Sequence, residues 1–156
     1  MQSGRILIMR HAEKTGDLED PHLSEAGQQR AHRLVTYIPQ EFEKPSYLFA
    51  TAESKHSRRP IETLEPLSAD IKVALDTSFA DQDYGALAHH LLKNNRYEQV
   101  LTVVCWHHGN IPNMAYALGL PDGSYPEAWD RKVFNLILDI TFANGAPSVK
   151  QVIEPF

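Results

Sequence analysis

The sequence has one cysteine, Cys105, among 156 residues. No intrachain disulfide can therefore form, and the apolar run around Cys105 predicts a buried thiol. Long apolar runs are also missing: nothing approaches the roughly 18 residues of a membrane span. The chain enters its first predicted strand with no signal-like segment ahead of it, so the expectation is a cytoplasmic protein with no membrane partner. Positive charge is not in surplus either. Fifteen Lys and Arg against 20 Asp and Glu leave a net charge of -5, which argues against a general nucleic-acid binder and still permits a local basic pocket. Metal-ligand spacing is absent as well, with no Cys-x-x-Cys or His-Glu-x-x-His among the eight histidines, and neighbours such as His107 and His108 point apart from an extended strand. No metal or other cofactor is expected. No internal repeat, linker or low-complexity tract divides the chain, so residues 1–156 are expected to form one domain large enough to bury a full core.

What is present is organised around Arg5-Ile-Leu-Ile-Met-Arg-His-Ala-Glu-Lys14. Ile6 to Met9 are four consecutive apolar residues, the pattern of a strand buried on both faces, and they stop abruptly at Arg10 and His11. In open α/β sheets ligands bind beyond the carboxyl ends of the strands, which makes that stop a candidate site. Further on, Ser24 is placed to cap a helix with Ala31, Leu34, Val35 and Ile38 on one face, ended by Pro39. Tyr47 to Ala50 reads as a short strand, and the polar, basic segment from Thr51 follows it. Pro60 opens a second helix, with Ile61, Leu64 and Leu67 facing inward. Arg59 then stands at a helix N-terminus, where backbone N–H groups and the dipole favour an anion.

Ile71 to Leu75 reads as another strand, and a loop carrying Asp81 and Asp83 follows. A helix is expected over about 86–95, with His89 or His90 on its edge. Val100 to Cys105 is the second strongly buried strand, running out at Trp106-His-His-Gly-Asn110. Pro112 opens a helix that Gly119 terminates. Val133 to Ile140 and Ser148 to Ile153 are closing strands joined across the turn Ala143-Asn-Gly-Ala-Pro147. Strands alternating with helices indicate a layered α/β sandwich, parallel for the most part. Trp106 and Trp129 read as core or rim packing.

The residues left at strand ends and helix starts are Arg10, His11, Arg59, Asp81 or Asp83, and His108. Two guanidiniums and two imidazoles at one sheet edge make a pocket for a phosphate-sized dianion, because arginine forks match phosphate oxygens. One neutral histidine there can attack phosphorus while the other donors hold its equatorial oxygens. Lys55, His56 and Arg58 are either a solvated basic loop or a grip on a remote anionic group of the substrate.

Four segments carry a resemblance. Arg10-His11-Ala12-Glu13 is similar to the Arg-His-Gly motif of the histidine phosphatase superfamily, which includes phosphoglycerate mutases and acid phosphatases. Leu23-Ser-Glu-Ala-Gly27 resembles its next segment, Arg59-Pro-Ile-Glu-Thr63 its second arginine motif, and Val103-Val-Cys-Trp-His-His108-Gly109 its late histidine strand. The resemblance implies a three-layer α/β/α sandwich, mostly parallel and phosphoglycerate mutase-like. It implies that His11 becomes phosphohistidine, that Arg10, Arg59, His108 and Gly109 bind the phosphoryl group, and that a carboxylate protonates the leaving oxygen. Comparison with the mutase segment points to Asp81 for that acid, ahead of Asp83. His108 is preferred over His107 because Gly109 follows it. Ala12 replaces the usual glycine, Pro60 a common alanine, and Lys14 a common small polar residue. The expected activity is hydrolysis of a phosphorylated small molecule or a phosphoprotein; a mutase or a non-catalytic phosphate-binding module is the alternative. With little chain between Arg59 and His108 to build a lid, an open site is expected.

Overall fold

Ile6 to Met9 lie in β1 (Gly4–Arg10), and their alternation divides the molecule into layers. Ile6 and Ile8 point into one apolar cluster and Leu7 and Met9 into another on the opposite face. A strand with helices on both sides has no wet face, which is why the run is unbroken. The computed structural model, which describes residues 1–156, continues with α1 (Glu25–Glu41), β2 (Tyr47–Ala50), α2 (Arg59–Ile71), β3 (Leu75–Asp76) and α3 (Tyr84–Lys93). It closes with β4 (Leu101–Trp106), α4 (Ile111–Ala117), β5 (Leu136–Ala143) and β6 (Ala146–Ile153). The six strands form one sheet in the order β3-β2-β4-β1-β5-β6. Strands β3, β2, β4 and β1 are parallel; β5 and β6 are added antiparallel.

Leu34 and Ile38 of α1 and Leu64 and Leu67 of α2 cover one face of the sheet. Leu87 and Leu91 of α3 and Ile111 and Met114 of α4 cover the other. The expected three-layer α/β/α sandwich with a mostly parallel sheet is therefore the observed one. Each fully buried Leu or Ile contributes about 1.5–3 kcal/mol. Cys105 is fully buried, as expected, and burial pushes its thiol well above the ordinary range.

Among the boundaries that differ from the sequence expectations, three have a clear physical reason or bear on the site. Helix α1 continues through Pro39 to Glu41, because proline removes only its own donor and Phe42 N–H still reaches the Ile38 carbonyl at 3.0 Å. Ile71 closes α2 instead of opening a strand: with Leu64 and Leu67 it completes a helical stripe, and Lys72 at φ 58° ends the helix. The strand expected there shrinks to Leu75 and Asp76. Val133 lies outside β5, in a turn that serves the site described below. The hairpin between β5 and β6 turns at Asn144 and Gly145, both left-handed at φ 52° and 79°, which suits a two-residue turn of the primed type.

Candidate active site

Strands β1 and β4 lie side by side with Arg10 opposite Trp106. The chain leaves β1 through α1 towards β2 and leaves β4 through α4 towards β5, on opposite faces and in opposite directions. A crevice opens beyond the strand ends at such a switch point. His11 and His107 are the first residues past the two strand ends, and their rings meet edge-on with centroids 5.5 Å apart.

A cavity of about 540 Å³ occupies this crevice. It is lined by Arg10, His11, Lys14, Arg59, Asp81, His107, His108 and Gly109, and on its outer side by Glu53, Ser54, His56 and Gln82, which are exposed. Ala52 and Ala80 are its two apolar lining residues. The structure thus brings together every site residue expected from sequence except Asp83, whose carboxylate accepts from Ala80 N–H at 3.3 Å in its own one-turn 3-10 segment, Asp81–Asp83. Asp81 is held into the pocket by its backbone: its carbonyl accepts from Trp106 Nε1 at 3.2 Å and from Asn110 Nδ2 at 3.3 Å. Both candidate histidines, His107 and His108, lie at the cavity. His108 lines the cavity, but the ring that meets His11 belongs to His107, because β4 includes Trp106 and places His107 level with His11. Of the basic loop, His56 reaches the pocket while Arg58 pairs with Glu53 and Glu65.

Burial sets the electrostatics. His11 is 2 % exposed, and desolvation, opposed by its bond to Ala12 and reinforced by Arg10, pushes its imidazole down to about 3. The ring is neutral at pH 7. Its Nδ1 lies 2.7 Å from the Ala12 carbonyl oxygen, which can only accept, so Nδ1 carries the proton and Nε2 keeps its lone pair. Burial likewise lowers His107, against the pull of Asp81, and lowers His108 together with Arg10 and Lys14. Arg10, pushed down to about 10 by burial and by Arg59, stays protonated. Four buried side-chain polar atoms in the molecule have no hydrogen-bond partner: Arg10 Nε, Arg59 Nε, Asp81 Oδ1 and Thr102 Oγ1. Three of the four belong to this pocket.

The scaffold around His11 explains the remaining motif residues. Thr63 Oγ1 accepts from Ala12 N–H at 2.9 Å and donates to the Arg59 carbonyl at 2.8 Å, so the Arg59 and Thr63 spacing locks α2 to the histidine loop. Ala12 is not at positive φ, which is why it replaces glycine without strain. Ser24 caps α1 by accepting from Gly27 N–H. Glu13 is gripped by Arg30 at 2.8 and 3.0 Å, and Arg30 also reaches Glu154. Thr51, Ser57 and Gln82 are lining residues that carried no sequence signal beyond their place in loops. No group of three or more His, Cys, Asp and Glu side chains is arranged to hold a metal ion, and no helix is long and apolar enough to cross a membrane.

Burying neutral histidines makes stability depend on pH. Between pH 6.5 and about 3 the unfolded chain protonates the residue-11 imidazole and the folded chain does not, so stability falls as pH falls through that window, by up to about 1.4 kcal/mol per unit. His107 and His108 act in the same direction. Glu154, pushed up from 4.5 to about 7 by burial, acts in the opposite direction, because the folded state holds its proton where the unfolded state does not. With three groups against one, the melting temperature is expected to drop steadily from pH 6.5 to 4.5, and His11→Gln to flatten that drop. A melting temperature constant over this range would contradict the burial of neutral rings.

No family model matches the chain, and no curated protein matches it in sequence. Solved structures do. The protein histidine phosphatase SixA complexed with tungstate superposes with a TM-score of 0.68 at 15% identity, covering 96% of both chains. A mycobacterial glucosyl-3-phosphoglycerate phosphatase with inorganic phosphate gives 0.67 at 13%, covering 98% of this chain and 97% of the other. Phosphoglycerate mutase from Plasmodium falciparum gives 0.63 at 13%, covering 100% and 91%. The likeness is one of fold: the chain has the phosphoglycerate mutase-like architecture that the sequence resemblance implied.

Proposed function

We propose that this protein is a phosphatase of the histidine phosphatase type, hydrolysing a phosphorylated small molecule or a phosphoprotein through a phosphohistidine on His11. The observation that carries the reading is the coincidence, in one cavity, of a neutral buried His11 with three unpartnered polar atoms, Arg10 Nε, Arg59 Nε and Asp81 Oδ1. Unpaired buried donors are costly, and a phosphoryl dianion satisfies both guanidiniums. His11 Nε2 attacks phosphorus as the bond to the leaving oxygen breaks, and Asp81, which takes up a proton as the phosphate ester binds, passes that proton to the leaving oxygen. The ring becomes cationic, and Nδ1–H, already bonded to the Ala12 carbonyl, stabilises the charge. Arg10, Arg59 and His107 hold the equatorial oxygens. Water, deprotonated by Asp81, then cleaves the P–N bond and releases phosphate, restoring the starting protonation states. The chemistry needs no metal.

Hydrolysis is favoured over phosphoryl return to the substrate because the outer wall of the cavity is exposed. A mutase must exclude water from its phosphoenzyme. Assaying phosphate release alongside isomerisation of a phosphoglycerate separates the two readings. A non-catalytic binding module predicts neither product.

The assignment of the acid has its own test. Asp81→Asn is expected to lower kcat/KM for an alkyl phosphate by about 10²-fold or more, and to change kcat/KM for 4-nitrophenyl phosphate less than about fivefold, since nitrophenolate leaves unprotonated and kcat/KM does not include the later attack of water. Asp83→Asn is expected to leave both unchanged. Equal losses on the two esters would remove Asp81 from the proton-donor role.

A further inference from the structure

The guanidinium of Arg10 is not held by any acid. Its Nη1 donates to the Arg131 carbonyl at 2.6 Å and to the Val133 carbonyl at 3.4 Å, and its central carbon sits 4.0 Å from the centroid of the Phe134 ring. Phe134 also leans on His11, ring centroids 6.2 Å apart. The turn that supplies these contacts is itself braced: Trp129, 7 % exposed, donates its Nε1–H to the same Val133 carbonyl at 3.1 Å, and Asp130 accepts from Lys132 and Val133 N–H. Residues 129–134 lie more than a hundred positions from Arg10, yet they accept both hydrogen bonds of its side chain and supply the ring against it.

We propose that Phe134 is a positioning residue for phosphoryl binding, acting through Arg10. The ring covers one face of the guanidinium and the two carbonyls fix one terminal nitrogen. What remains is the Nε side of the fork, buried and unpaired in the pocket. Carbonyls and a π face suit this task better than a carboxylate would. They hold a cation by dipole and quadrupole without cancelling its charge, so the full positive charge stays available to the anion. The same ring helps keep water from His11, which supports the neutral nucleophile. This assignment rests on the phosphatase reading for its substrate, but the anion-binding part stands apart from turnover.

The test is titration of the protein with inorganic phosphate, together with kcat/KM for 4-nitrophenyl phosphate. Phe134→Leu keeps an apolar side chain and removes the π face. It is expected to weaken phosphate binding and lower kcat/KM about tenfold with an unchanged melting temperature, while Phe134→Tyr stays within twofold of the parent. Trp129→Phe, which loses the N–H to Val133 together with part of a buried ring, is expected to move phosphate affinity the same way and less. In an Arg10→Lys background the Phe134→Leu effect is expected to vanish, since the flat ion that the ring supports is gone. Phosphate affinity within twofold of the parent for Phe134→Leu, equal losses for the Leu and Tyr variants, or full additivity with Arg10→Lys would each overturn the proposal. If the parent binds phosphate but does not turn over the ester, the titrations alone decide it.

Discussion

His11→Ala is expected to lower phosphate release from an aryl phosphate by at least about 10³-fold, to the background rate, with the protein still folded. The size follows from the division of labour in the cavity. Arg10, Arg59 and His107 stabilise charge on the phosphoryl oxygens, and each can be lost with part of the catalysis surviving. Attack on phosphorus has one candidate atom, His11 Nε2, because the opposite nitrogen is committed to the Ala12 carbonyl. His107 is beside it, but the charge of Asp81 works against the neutral form of its ring, which suits it to donate to a phosphoryl oxygen. The variant is expected to bind inorganic phosphate within a few-fold of the parent, since both guanidiniums remain. A His11→Ala protein that still turns over at more than a tenth of the parent rate would leave the pocket without its assigned nucleophile.

Gly27→Ala is expected to have the largest effect on stability. A Cβ at this position falls 2.2 Å from the Glu13 carbonyl oxygen and about 3 Å from two further Glu13 backbone atoms, none of which can swing aside. Helix α1 approaches the histidine loop this closely because Ser24 is bonded to the same carbonyl through its N–H at 2.9 Å and its hydroxyl at 3.2 Å. Relieving the clash means moving the first turn of α1 or the backbone two residues from His11. A cost of about 3 kcal/mol is expected, or a fall of roughly 6–12 °C in melting temperature. Activity is expected to fall with it, because the loop that moves carries the nucleophile. Gly109→Ala serves as the control: open space surrounds its Cβ position, and its melting temperature is expected to change by less than about 2 °C.

The parts of the fold that could be read from sequence are those where burial leaves a pattern. β1 and β4 are apolar on both faces and so stand out as unbroken runs, and the polar residues at which they stop mark the crevice. Arg59 was legible because Pro60 fixes where α2 begins. His107 was less so. Trp106 is the last buried residue of its strand, and counting it as strand places His107 level with His11, whereas the glycine after His108 drew attention to the neighbouring ring, which lines the same cavity. Asp81 and Asp83 could not be separated by pattern, since what distinguishes them is a pair of donors to a main-chain carbonyl, from Trp106 and Asn110. The support for Arg10 was hidden for a related reason. Two of its partners are carbonyl groups, which every residue has, and Val133 is apolar enough to pass for strand. Ile71 misled in the same way, a β-branched residue finishing a helix for the sake of the core beneath it.

The central claim is that His11 takes the phosphoryl group. The most direct measurement is to mix the parent protein with a ³²P-labelled phosphate ester, quench in base within milliseconds to seconds, and map the label after proteolysis. The expected result is label that is stable in alkali and labile in acid, confined to the peptide containing His11 and absent from His11→Ala. Label on another residue, or label of equal amount in His11→Ala, would contradict the account.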